Sequence, residues 1–448
     1  MTESEKYYKK MTETSLSRLI ISLGIPTTIS MLVTSIYNMA DTYFVGRLGE
    51  SAQGATGILF TLQAIIQAVG FMLGQGSGTL VSKSLAEKDT DEASAYASSA
   101  FYASIFVGTL FALFGGLFLT PMLRALGSTE TILPYAVRYG ACVLASCPFV
   151  MASFVLNNIL RFEGKAYYSM LGLVTGGILN IFGDWLLVVV YDFGILGAGI
   201  STVVSQIISF FMLVAFQKKN AQSRIRLSDI SRRAEIYLSV MKIGFPSLIR
   251  QGLNSISSGL LNNLTRPFGD AAIAAMSVVN RFSMFVMCVG LGIGQGFQPV
   301  AAFNYSAKKY SRVKKSMLIT MGIGICFILC LATPGFIFAE KIVYLFQKSP
   351  EVIEIGTFAL RASCIGTSFL ALSVPVNMLY QSTRQTGIAS FLSLMRSGLT
   401  FIPVLIITTR LWGLFGIQIS QPVADILTGF MSIPFMIHFL KKSDDKMK

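Results

Sequence analysis

Gly24-Ile25-Pro26, Gly49-Glu50 and Gly74-Gln75-Gly76 return as Gly244-Phe245-Pro246, Gly269-Asp270 and Gly294-Gln295-Gly296. The offset is 220 residues at all three places, with no gap over roughly sixty positions. Further along, an offset of 223 aligns Arg138 with Arg361, Arg161 with Arg384 and Gly164 with Gly387. The chain therefore reads as one unit written twice. Each copy holds six long apolar runs, near 16–44, 53–80, 93–120, 134–158, 169–191 and 198–217, then 236–265, 272–300, 316–340, 355–380, 388–410 and 416–440. Runs of this length match the roughly 20 residues that cross a bilayer as helix. Strands are excluded there, because lipid offers no partner to an open sheet edge.

Composition agrees. Of 448 residues, 53% are hydrophobic and 13% charged, against about 25% charged in an ordinary soluble domain. The expected fold is an all-α membrane protein of twelve transmembrane helices in two pseudo-symmetric six-helix lobes. Six helices separate the copies, an even number, so the repeat is parallel and its axis lies along the membrane normal. The lobes are expected at 1–216 and 236–448, joined by a basic, solvated linker at 217–235, KKNAQSRIRLSDISRR within it, that also meets anionic headgroups.

Charge placement sets the orientation. With the N-terminus inside, 25 of the 36 Lys and Arg residues fall on the inner side and six outside, with five inside helices. Both termini are thus cytoplasmic, in a multi-pass protein of the cell membrane. The net charge of +14 does not indicate nucleic-acid binding, since the basic residues sit in short loops rather than on one solvated face. Six cysteines and the single His438 lack zinc-ligand spacing, and no catalytic constellation or GxxxxGK[ST] loop occurs, so neither an enzyme nor an ATP-driven pump is expected. The glycine runs at 74–78 and 290–296 have no preceding strand and read as sites of close helix packing.

Carboxylates inside apolar helices carry the functional signal, since each costs about 2.5–3.5 kcal/mol at a helix centre on insertion scales. Asp41, Asp184 and Asp425 are the three. Asp41 shares a helix face with Tyr37, Asp184 with Asn180, and Thr202 with Gln206, each pair four residues apart. Two carboxylates, an amide and a hydroxyl can hold Na⁺ or share a proton, and the residues alone leave both open. Met31, Tyr37, Met39, Phe60 and Gln206 are candidates to line a substrate cavity with an adaptable wall. Pro26 is expected to kink the first helix. Arg281 and Arg396 are also embedded, and an ion pair with one of them is the expected fate of Asp425.

YNMADTYFVGRLG at 37–49, LNIFGDWLL at 179–187, GILGAGIST at 194–202 and SQPVAD at 420–425 resemble segments of multidrug and toxic compound extrusion (MATE) transporters of the DinF-like branch. The resemblance runs over nearly the whole chain. It implies a secondary antiporter that exports cationic or amphipathic drugs and toxic compounds by alternating access, without a cofactor, as a monomer in the lipid bilayer. It also implies an ion-coupling role for Asp41, Asn180 and Asp184, with Thr202 beside them; H⁺ is favoured over Na⁺ as the coupling ion. The NorM-like branch places acidic ligands in its seventh and tenth helices, and here those helices carry none. The rival reading is a lipid-linked oligosaccharide flippase of related fold, for which Arg250, Arg281 and Arg396 would be the headgroup contacts.

Overall fold

A computed structural model describes residues 3–445. An amphipathic helix α1 (Glu3–Glu13) precedes α2 (Leu16–Gly46), α3 (Glu50–Ala86), α4 (Thr90–Leu117), a short α5 (Leu119–Ala125), α6 (Leu133–Phe162), α7 (Ala166–Asp184) and α8 (Gly194–Asn220). The second half repeats the series: α9 (Ala234–Thr265), α10 (Asp270–Ser306), α11 (Tyr310–Ile337), a short α12 (Ala339–Phe346), α13 (Pro350–Thr367), α14 (Leu370–Ser382), α15 (Thr386–Leu394), α16 (Phe401–Trp412) and α17 (Leu414–Asp445). No strand occurs among the described residues. Six-residue π-helical turns follow α7 at Trp185–Val190 and join α15 to α16 at Met395–Thr400.

Among the described residues ten helices are long and apolar enough to span a membrane, and α13 with α14 makes an eleventh, bent by 44° at its break. Helix α9 completes the twelve. It is 32 residues long, but Lys242, Arg250 and a run of Ser and Asn make it less apolar than the rest. Pro26 lies within an unbroken α2.

Helix ends show the duplication most clearly. Lys88, at φ 65°, and Lys308, at φ 58°, take left-handed backbone, as do Gly164 at 71° and Arg384 at 62°. Each closes a helix with the same pair of reversed bonds: Asp89 N–H donates to the Ser84 carbonyl and Lys309 N–H to that of Asn304, while Lys165 and Gln385 bond back to Leu160 and Tyr380. Every pair is 220 apart. Arg384 therefore stands where Gly164 stands, and the 223 register expected at this point is corrected to 220. Arg161 is matched by Gln381, not by Arg384. Side-chain identity misled the alignment; backbone shape decides it.

By contact, the chain forms two compact units, one made of the residues up to Tyr8 with Ile29–Gln251, the other of Lys9–Thr28 with everything from Gly252 onward. In the first unit the inner half of α9 lies directly on α3. A Cβ on Gly76 would come within 1.9 Å of the Val240 carbonyl oxygen, and one on Gly244 within 1.8 Å of that of Met72. In the second unit the same motifs exchange roles: a Cβ on Gly296 would sit 2.4 Å from the Gly24 Cα, and one on Gly292 2.3 Å from Thr28 Oγ1. The glycine runs are thus contact surfaces where backbones touch.

The linker after α8 is bound along its backbone rather than simply solvated. Ser94 and Ser98 on α4 accept from the N–H groups of Arg224 and Arg226, Ser98 also donates to the Arg224 carbonyl, and Ser99 accepts from Ser231 N–H. Glu163, fully buried past the end of α6, accepts from the N–H groups of Gln222 and Ser223 and from the Ser223 hydroxyl. Burial pushes its carboxyl upward in pKa, while these donors and Lys165 pull it back. The basic side chains Arg224, Arg226, Arg232 and Arg233 stay exposed.

Candidate functional site: a buried oxygen cluster in the N-terminal half

Four helices, α2, α6, α7 and α8, build the site, and small residues let them approach. On α7, a Cβ at Gly177 would strike Val33 at 2.8 Å and lie 3.2 Å from the Tyr37 ring, and one at Gly183 would lie 2.5 Å from Ser201 Oγ. On α8, a Cβ at Gly199 would meet Cys142 at 2.8 Å and Tyr139 at 3.2 Å. The glycines of GGILNIFGD and GILGAGIST thus seat α2 and α8 against α7, and α6 against α8. Asp184 is the last residue before the π turn. Such turns interrupt the regular bonding ladder and recur at functional positions.

Asp41 on α2 accepts a hydrogen bond from the Tyr139 hydroxyl of α6 at 2.8 Å. Thr202 lies by the same hydroxyl. Asn180 donates to Thr202 Oγ1 at 3.2 Å and to Ser201 Oγ at 3.4 Å, and Ser201 donates to the Asn180 carbonyl at 2.9 Å. Asp184, fully buried, has Ser201 beside it and lies close enough to Asp41 for their charges to interact. Tyr37 sits against Gln206 and close to Asp41.

The unmet hydrogen-bonding capacity defines the chemistry. Asp41 Oδ1, Asn180 Oδ1 and both oxygens of Asp184 are buried with no hydrogen-bond partner. Buried acceptors are almost always satisfied, and leaving one unmet costs about 1–3 kcal/mol, more when it is charged. Unmet acceptor oxygens on these neighbouring residues have the chemistry to take a proton on a carboxylate or to ligate a small cation.

Of the residues singled out from sequence, Tyr37, Asp41, Asn180, Asp184, Thr202 and Gln206 come together here. Phe60 is 52% exposed and Met39 44% exposed, and neither they nor Met31 line the apolar groove of about 390 Å³ formed by Phe44, Ile178, Ile181, Phe182 and Trp185. Tyr139 and Ser201 were not anticipated. A tyrosine in an aromatic-rich helix carries no pattern of its own, whereas Ser201 could have been found as the immediate neighbour of Thr202.

In the C-terminal half Asp425 pairs with Arg396, Nε to Oδ1 at 3.6 Å, while Arg281 points to an exposed position. The six cysteines are all free.

Comparison with known proteins gives a consistent picture. The MatE family model matches residues 26–186 and again 246–407, one match per copy of the repeat. The multidrug export protein MepA of Staphylococcus saprophyticus is 25% identical over 95% of this chain and 94% of its own length. The protein of the same name from Staphylococcus aureus strain MW2 is 26% identical with the same coverage. Among solved structures, an outward-facing multidrug resistance MATE family transporter of the MOP superfamily superposes with a TM-score of 0.92 at 22% identity, over 100% of this chain and 99% of that one. A MOP superfamily transporter from Pyrococcus furiosus gives 0.91 at 22% identity with the same coverage.

Proposed function

The chain belongs to the MatE family, and from that membership we propose that it is a multi-pass secondary transporter of the cell membrane, an antiporter that exports cationic or amphipathic compounds in exchange for an inward coupling ion. The coupling ion is H⁺ in preference to Na⁺, and the exchange runs by alternating access. The observation that carries this reading is the cluster of unmet acceptor oxygens on Asp41, Asn180 and Asp184.

Each residue has a role in this scheme. Asp41 and Asp184 take up the coupling ion, and two carboxylates in one buried site cannot both stay ionised cheaply. Tyr139 holds the Asp41 carboxylate in place through its 2.8 Å bond. Asn180 and Thr202 orient the face of α7 toward α8. Tyr37 and Gln206 flank the approach to Asp41, where a substrate cation finds its countercharge. Ion binding removes that countercharge, so ion and drug exclude each other, which is the coupling that exchange requires. A proton suits the site better than Na⁺ because the oxygens lack only hydrogen-bond donors, whereas Na⁺ would need them converged at coordination distance.

Dye flux in proteoliposomes tests the scheme, with a pH gradient and a Na⁺ gradient imposed separately. Accumulation driven by the pH gradient alone is the expected result. Accumulation driven only by Na⁺ would reassign the ion, and none under either gradient would refute the antiport reading.

A further inference from the structure

The pairing of Arg396 with Asp425 is a poor one by the standards of buried ion pairs. A carboxylate normally takes an arginine fork at about 2.7–2.9 Å, often through two parallel bonds. Here the contact is a single Nε to Oδ1 approach at 3.6 Å, and neither atom makes a hydrogen bond. The guanidinium also donates from Nη2 to the Met287 sulfur at 3.5 Å, a weak acceptor. Gln421 lies by Asp425 on its own helix. Five donors on the fork are thus met by little.

The fold does not require a charge at either position. Arg396 is 220 residues from Gly176, which packs on Ser209, and Asp425 is 219 from Gln206, the offset that relates Gly413 to Gly194. The twin positions in the first half carry no charge: a glycine, where α7 packs on α8, and a neutral amide, which sits against Tyr37 of α2. The ion pair is an addition to the architecture.

The π turn that carries Arg396 is fixed to α9, where the Ser257 hydroxyl donates to the Ser397 carbonyl at 2.7 Å and Leu253 approaches Gly398. The other side of that part of α9, turned away from the π turn, carries Gly252 and Gly259, beside which there is open space, and exposed Ser258, Asn262 and Asn263. A polar helix face at membrane depth belongs beside water or protein, not lipid. Asp425 is 3% exposed, while the Arg396 side chain retains 14%, so the cation is the partner that can be reached.

We propose that Arg396 is a specificity-determining residue that receives the carboxylate or sulfonate of an acidic or zwitterionic substrate, with Asp425 as its displaceable internal countercharge. The proposal rests on the export reading above and assigns it a substrate class: compounds bearing an anionic group besides their cationic or apolar body. Asp425 competes with the substrate's anion for one guanidinium, so removing it strengthens acid binding, whereas a merely structural pair would weaken everything alike.

The test uses rhodamine 110, a carboxylic acid, and rhodamine 123, its methyl ester, which share one cationic ring system. Binding to the purified full chain is followed by fluorescence anisotropy, and flux is followed in proteoliposomes. Arg396→Gln is expected to weaken rhodamine 110 binding and flux about tenfold or more, the scale of a lost charge-assisted contact, with the ester changed less than about twofold. Asp425→Asn is expected to tighten rhodamine 110 alone. The double variant Arg396→Gln/Asp425→Asn, which leaves no unpaired charge, is expected to lose the acid and keep the ester, so a folding defect in the first variant does not decide the matter. Equal effects on both dyes, or acid binding unchanged in the double variant, would overturn the proposal. Failure of the wild type to move the ester would instead count against export itself, and the anisotropy comparison would still judge Arg396.

Discussion

Replacing Gly76 or Gly244 by alanine puts a methyl group into a backbone. In the native contact the added Cβ would lie 1.9 Å from the Val240 oxygen or 1.8 Å from the Met72 oxygen. Neither obstacle is a side chain that can rotate away, so α3 and α9 must separate by roughly 1.2 Å to restore even a tight contact. Overpacking of this kind costs about 1–3 kcal/mol. The two positions serve one interface, and separation forced by the first methyl already makes room for the second. Gly76→Ala/Gly244→Ala should therefore cost little more than the worse single variant, giving a coupling of about 1–2 kcal/mol in a double-mutant cycle. Gly322 on α11 has nothing within 4 Å of the added carbon, and Gly322→Ala should be neutral or stabilising by up to about 1 kcal/mol through helix propensity. The assay is reversible unfolding in mixed detergent micelles with titrated denaturing detergent. Strictly additive single effects, or a Gly322→Ala penalty equal to that of Gly76→Ala, would refute the argument that backbone contact explains the repeated glycines.

Other outcomes follow from the same structure. Asp184→Asn should abolish gradient-driven accumulation while leaving the unfolding midpoint within about 1 kcal/mol of wild type or higher, because it removes a buried charge with unmet oxygens; a large loss of stability with transport intact would assign Asp184 to structure. Glu163→Gln replaces one acceptor oxygen of the carboxylate by an NH2 donor facing other donors and forfeits about 1.5–3 kcal/mol of charge-assisted bonding. Trypsin should then cut after Arg224 or Arg226 about 10–100 times faster, and unchanged cleavage would show that the serines of α4 hold the strap alone. Ser98→Ala, which removes two bonds to the linker, should speed the same cleavage more than Ser104→Ala, whose hydroxyl only bonds its own helix at the Phe101 carbonyl.

Much of this was legible in the sequence, for identifiable reasons. Apolar length gives the helices, and the Gly-x-Pro and GQG repeats give the duplication. Buried carboxylates are costly enough to mark a site by their presence alone, so Asp41, Asn180 and Asp184 could be read from spacing. The 223 register failed because arginine identity carries less information than the left-handed turn that Gly164 and Arg384 share. Tyr139 was invisible because its role depends on a contact 98 residues away. The bound linker was invisible because its partners on α4 are serines, which read equally well as ordinary small residues. The choice between Arg281 and Arg396 as the partner of Asp425 needed three dimensions.

The most direct test of the central claim is Asp41→Asn in sealed proteoliposomes, with a fluorescent cation offered on one side under an inward proton gradient. Loss of accumulation against the concentration gradient, in a protein that is folded and correctly inserted, is the predicted result. Accumulation at the wild-type level would contradict the assignment of ion coupling to the cluster around Asp41 and Asp184.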